Sequence, residues 1–168
     1  MASTITGMTA VQIATLLSQP LDMSTPQDNL TRKAQINWTN GAGNSQADRQ
    51  YHDQRTLGIG SHDDLNLVSG ALVDGLGQTI ALSRVKQIYI KASDSNSGNL
   101  IFANSHATMF RGPMGSAHLL QPGALNIWAA PNSGFVITSG TNHTLRISNN
   151  TNSASSAYDI IITGVSSG

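Results

Sequence analysis

The chain has 168 residues, room for one well-cored domain and too little for two. Nine Lys plus Arg balance nine acids, all of them Asp, and charged residues are only 11% of the sequence, against roughly 25% in ordinary globular domains. That balance argues against a basic nucleic-acid surface and a polybasic membrane patch, and the absence of cysteine removes disulfide staples, thiolate metal sites and cysteine nucleophiles.

Neutral polar groups carry the surface instead: Asn, Gln, Ser and Thr supply 59 residues and Gly another 16. Most of these favour turns and strands over helices, so the composition predicts an all-β chain. No apolar run approaches the roughly 18 residues of a membrane span, and Met1 to Gly7 lacks the basic and apolar stretches of a secretory leader. The expectation is a soluble chain made in the cytoplasm.

In chain order, residues 1–29 read as an N-terminal arm. The run Val11 to Leu17 suits a short strand or a helical turn, and Pro20 and Pro26 suit a segment lying on something else. A first strand is expected over Leu30 to Trp38, where Ala34, Ile36 and Trp38 alternate with Lys33, Gln35 and Asn37. Thr39 to Ser45 is a turn cluster built on Asn40-Gly41, and Gln46 to Arg55 reads as a long connection or a helical turn.

Strand-length apolar runs follow at Leu65 to Leu67, Ala71 to Val73, Thr79 to Leu82, Val85 to Lys91, Leu100 to Ala103, Leu125 to Ala129, Phe135 to Thr138, Thr144 to Ile147 and Tyr158 to Thr163. Val85 to Lys91 is the clearest of them, and Asn149 to Ala157 reads as a mobile hairpin loop. In Leu125 to Ala129 the alternation sets Trp128 opposite Leu125, on the expected outer face, either half-buried under a loop or at a subunit contact. About eight to ten short antiparallel strands, with turn signals about every 8 to 12 residues, predict a jelly-roll or β-sandwich over residues 30–168.

Few residues suggest chemistry. His52-Asp53 and His62-Asp63-Asp64 lack the spacing of a zinc or iron site, and the paired aspartates lack the order of a calcium loop. There is no G-x-S-x-G elbow, and Gly75-Leu76-Gly77-Gln78 lies between two strands, where a phosphate-binding loop is out of context. Neither cofactor nor metal nor catalytic residue is expected. Arg49, Tyr51, His52, Asp53 and Arg55 form the densest polar cluster, which suits either an interface anchor or internal ion pairs fixing a crossover.

Thr39-Asn40-Gly41-Ala42-Gly43-Asn44-Ser45-Gln46-Ala47-Asp48, Tyr51-His52-Asp53-Gln54-Arg55-Thr56-Leu57, Asp63-Asp64-Leu65-Asn66-Leu67, Gly70-Ala71-Leu72-Val73-Asp74, Val85 to Lys91, Pro122-Gly123, Ala130-Pro131 and Tyr158 to Ile162 together resemble a family of small virion structural proteins of tailed bacteriophages. The likeness covers about residues 35 to 165 and leaves the arm outside. It departs at Gly43-Asn44-Ser45-Gln46, where the family pattern has Gly-Ala-Asn-Gln, and at Leu65-Asn66-Leu67, where that pattern has Leu-Asp-Leu after an acid.

The resemblance implies a homotrimer that decorates and cements the capsid exterior by binding the major capsid protein, with no catalytic residue and with neither nucleic acid nor membrane as partner. Expected interface residues are Val11, Ile13 and Leu16 in the arm, the 49–55 cluster, and Tyr89 or Trp128 between subunits. The alternative is a glycan or host-surface binding module of a head or tail fibre, in which Trp128, Tyr51 and Asn126 would stack on and bond to sugar. The arm itself can lie on a neighbouring subunit or the capsid, or be an ordinary strand of its own domain.

Overall fold

The computed structural model describes residues 4–102, 106–151 and 153–166. Among these there are fourteen strands and no helix. They are β1 (Gly7–Ser18), β2 (Gln27–Asn40), β3 (Gln46–Ala47), β4 (Arg49–Leu57), β5 (His62–Asn66), β6 (Leu72–Val73), β7 (Thr79–Ile80), β8 (Leu82–Ala92), β9 (Leu100–Phe102), β10 (His118–Leu120), β11 (Leu125–Ala129), β12 (Phe135–Val136), β13 (Thr144–Asn149) and β14 (Ser156–Ser166). The expected run Leu100 to Ala103 ends on a residue outside the described ones.

All strand pairings are antiparallel except the two-residue contact of β2 with β3. A five-stranded sheet runs β11-β8-β14-β4 with β12 also on β8, and a four-stranded sheet runs β10-β9-β13-β5. Both feed one apolar core. Ile88, Ile90, Tyr158, Ile160 and Ile162 come from the first sheet, and Leu65, Leu100, Phe102, Leu120, Leu145 and Ile147 from the second. The period of two explains the choice of face: along β14, Tyr158, Ile160 and Ile162 are buried while Ala157, Asp159 and Ile161 are only partly covered.

One irregularity shapes the central strand. Thr163 lies opposite Gln87 and Gly164 opposite Val85, so Lys86 is an extra residue in β8, a bulge that returns Val85 to the core side beside Ile88. Gly164 is required there, because a Cβ at that position would stand 2.4 Å from the Arg84 carbonyl oxygen.

Three expectations need correction. Gln46 to Arg55 is neither connection nor helical turn: β3 and β4 occupy it, and β4 pairs with β14 from Arg49 to Leu57. The segment hides its strand character because its inward face carries polar side chains that bond to one another. Trp128 points inward. It lies opposite Ile88 in the β11–β8 ladder and stacks on Phe102 with ring centroids 5.3 Å apart, whereas Leu125 is 53% exposed on the outer face. The alternation was legible, but the apolar set of β11 faces outward. Finally, Asn149 to Ala157 is tied down in its described part. Asn149 is buried, donates from Nδ2 to the carbonyls of Leu57, Gly58 and Ala154, and accepts at Oδ1 from the Thr151 amide.

The first forty residues give the molecule its most unusual part. β1 and β2 pair continuously from Gly7↔Trp38 to Ser18↔Gln27, a two-stranded ribbon of twelve pairs. The segment expected to be an arm supplies one strand and the tip of this ribbon, and β2 begins at Gln27, three residues before the strand expected at Leu30.

Candidate functional site

The ribbon is fastened to the body at one end only. Trp38 is buried, and its Nε1 donates to Thr9 Oγ1 at 2.9 Å; that hydroxyl donates to Gln87 Oε1 at 2.6 Å on the outer face of the five-stranded sheet. Further out, from Ala10 to Ser18 and from Gln27 to Gln35, every residue is exposed.

Pairing register divides the ribbon into two faces. One carries Thr9 with Ile36, Val11 with Ala34, Ile13 with Arg32, Thr15 with Leu30 and Leu17 with Asp28. The other carries Gln12 with Lys33, Ala10 with Gln35, Ala14 with Thr31 and Leu16 with Asn29. The first face is an apolar stripe that continues from buried Trp38, interrupted by Thr15, Arg32 and Asp28; the second mixes amides and a hydroxyl with Ala10, Ala14, Leu16 and Lys33. Val11, Ile13, Leu17 and Leu30 remain 42%, 56%, 72% and 43% exposed. Leu16 sits on the polar face, apart from Val11 and Ile13.

The body carries a second, partly covered apolar row. On the outer face of the five-stranded sheet, Ile127 lies opposite Tyr89, Tyr89 opposite Ile161 and Ile161 opposite His52, with Leu125, Lys91, Asp159 and Gln54 in the next row. Tyr89, named as an expected subunit contact, is half-buried on this outward face. An open cleft of about 460 Å³ runs beside this row, lined by Gln50, His52, Gln54, Asp159 and Ile161 among others.

The 49–55 cluster divides between two faces. Tyr51, Asp53 and Arg55 point toward the four-stranded sheet, while His52 points out. Arg55 donates from Nε to Asp63 Oδ2 at 2.9 Å and from a terminal nitrogen to the Tyr51 hydroxyl at 3.0 Å; the Tyr158 hydroxyl donates to Asp63 Oδ2 at 2.8 Å. Tyr51 in turn donates to Asp53 at 3.1 Å, and Arg49 lies 3.8 Å from its neighbour Asp48. This seam joins β4 and β14 to β5, edge of one sheet to edge of the other. Burial works against the Arg55 charge, but its bonds to Tyr51 and Asp63 more than offset that, so its pKa is raised. Burial pushes the Tyr158 phenol far up, reinforced by Asp63, and Tyr51 up as well.

Asp64 leaves the opposite face of β5 and meets Arg146 in a two-pronged bond with both distances 2.6 Å, which holds its carboxyl below the ordinary range. His62 and His106 stand 3.7 and 3.8 Å from the same carboxylate. Asp63 and Asp64 are thus each committed to an arginine on opposite faces, and no group of three or more metal-capable side chains converges among the described residues.

Of the groups named for sugar binding, Asn126 lies half-buried opposite Ile90, and the two aromatic ones are engaged within the chain. Tyr51 is 4% exposed, and the Trp128 indole rests on Phe102 with the His118 ring edge-on at 5.7 Å. What sequence reasoning missed is the partnership of Leu17, Leu30, Ala34 and Ile36 with Val11 and Ile13. The signal was present as two alternating runs separated by a Pro20 to Pro26 turn, but the first run was too short to fix its period. Compared with protein-family models, with curated proteins and with solved structures, the chain matches none.

Proposed function

We propose that the chain is a structural assembly protein, a capsid decoration and cement protein of a tailed bacteriophage, that binds the major capsid protein on the capsid exterior as a homotrimer. Its body is a β-sandwich or jelly-roll with the two larger sheets as layers, and its ribbon is the contact arm. The observation that carries this reading is the ribbon: eight successive pairs, Val11↔Ala34 to Ser18↔Gln27, hold an apolar stripe away from the body. A two-stranded ribbon is marginal in water by itself, so a stripe of this length is explained by a surface that receives it.

The polar clusters support the same reading, since they join strand to strand. A decorating protein needs no chemistry. It needs many copies of a modest contact, which together clamp neighbouring capsid subunits. Quantitative mass spectrometry of purified particles tests it: the expected copy number is of the order of the major capsid protein's, and a handful of copies per particle overturns cementing.

A further inference from the structure

The chain holds a single Asn-Gly pair, Asn40-Gly41, and it falls at the root of the ribbon, where β2 ends beside β3. An asparagine followed by glycine is the most labile amide of a polypeptide, because no side chain hinders the next backbone nitrogen from reaching its side-chain carbonyl carbon. Glycine is required here. Gly41 has a φ of +138°, and a Cβ on it would stand 2.6 Å from Gln46 Oε1, an atom that the Gly43 amide already holds at 2.8 Å. The turn thus builds the labile pair into the fold.

Two hydrogen bonds keep the reacting atoms apart. In its sheet β2 lies between β1 and β3. Extending the Gly7↔Trp38 register sets Ile5 opposite Asn40, and the Ile5 amide donates to Asn40 Oδ1 at 3.3 Å on that side. On the β3 side the Gly41 amide donates to the Ala47 carbonyl at 3.2 Å, continuing the parallel contact of Thr39 and Asn40 with Gln46 and Ala47. The carbonyl and the nitrogen are drawn to opposite edges of one strand. This hold is local and small: the parallel contact has two residue pairs, Asn40 is exposed, and Lys86 Nζ braces the loop through the Gly43 carbonyl at 3.3 Å. Such a contact opens without unfolding the body.

We propose that Asn40-Gly41 is a self-modification site held inactive by the β2–β3 contact. When the contact opens, the Gly41 nitrogen bonds to Asn40 Cγ, the Cγ–Nδ2 bond breaks, and the Gly41 amide proton leaves with the amino group as ammonia. Water then opens the five-membered imide at either carbonyl, giving aspartate or isoaspartate. Each product adds one negative charge to a chain of zero formal net charge. Aspartate keeps an acceptor for the Ile5 amide and an unaltered main chain. Isoaspartate routes the main chain through the former side chain and adds a methylene between positions 40 and 41, so the register with β3 is lost and the ribbon loosens at its root. The reaction needs no partner and stands apart from the reading of the ribbon as a contact arm.

The full chain, incubated at mildly alkaline pH in buffer and in unfolding guanidinium chloride, provides the test. Peptide mapping reads the gain of about one mass unit at position 40, enzymatic methylation reports isoaspartate, and isoelectric focusing reads the added charge. In the unfolded chain Asn40 should react faster than Asn44 and Asn132, each followed by Ser, and in the folded chain at least about tenfold more slowly than in the unfolded one. Equal rates in the two states overturn the gate, and an Asn40 no faster than those two in the unfolded chain overturns the site. Gln46→Ala and Lys86→Met alter no reacting atom; they should speed the folded-state reaction several-fold and leave the unfolded rate unchanged, while amide exchange in β14 stays slow. An unchanged folded rate in both variants, or acceleration only in step with β14 exchange, overturns control by the β2–β3 contact.

Discussion

Lys86 is the residue at which burial, backbone irregularity and loop structure meet. It is the extra residue of the β8 bulge, is fully buried, and donates from Nζ to the carbonyl oxygens of Gly43, Pro131 and Asn132 at 3.3, 3.1 and 2.5 Å. Burial, with Arg84 nearby, lowers its pKa, and no carboxylate is within ion-pair distance among the described residues. The ammonium therefore acts as a three-pronged staple between the loop after β2 and the loop after β11. Lys86→Met removes an unfavourable buried charge but leaves three carbonyls without this donor. Gly43 and Asn132 are exposed enough to regain water, so the expected loss is about 1 to 2 kcal/mol in denaturant unfolding. Hydrogen exchange should accelerate in residues 41–46 and 131–134 while β14 stays protected. Unchanged exchange in both loops would remove the staple.

At the scale of elements, the ribbon and body are held together by little more than Trp38, Thr9 and Gln87, and this makes them separable. Excising Ala10 to Gln35 and joining Thr9 to Ile36 with an Asn-Gly turn keeps that anchor and the last pairs of the ladder. The body should unfold with a midpoint within about 0.5 kcal/mol of the full chain, because the removed residues bury nothing in the core, while self-association is lost. Circular dichroism and light scattering on one preparation read both, and loss of the folded body would make the ribbon part of the core. The same elements show how much was legible in the sequence. β8, β11 and β14 announced themselves by alternation, because one of their faces meets the core. β4 did not: Tyr51, Asp53 and Arg55 face inward yet are polar, and only Asp63 and Tyr158, distant in sequence, make that placement stable. β11 misled about its faces, since its apolar set lies outside and Trp128 inside, a choice fixed by its register against Ile88 and Ile90 rather than by its own residues. β1 and β2 were two unrelated runs until pairing put their apolar positions on one face.

For the whole molecule, the buried hydroxyls and the buried ammonium together set the alkaline limit of stability, and they act with opposite signs. Tyr158 is 1% exposed, donates to Asp63, and has a pKa raised by burial far above the ordinary value near 10, so the folded chain keeps a proton that the unfolded chain releases. Its contribution is complete below pH about 10 and is lost as pH rises further, at up to about 1.4 kcal/mol per pH unit. Tyr51 adds a smaller loss of the same sign. Lys86 runs the other way: its folded pKa is lowered, so between that value and about 10.5 the unfolded chain binds more protons and stability rises with pH. Above about 10.5 the Lys86 ammonium no longer contributes a slope, and the tyrosines remain together with partly exposed Lys91, whose pKa its bond to Asp94 raises. Urea unfolding from pH 8 to 11.5 should therefore show a plateau or slight rise, then a fall beginning near pH 10. Tyr158→Phe should lose about 1 kcal/mol at neutral pH, since Asp63 keeps Arg55, and should flatten most of the alkaline fall. A fall of the same steepness in Tyr158→Phe would mean that the seam between the two sheets does not set the limit, and that the loss begins elsewhere in the fold.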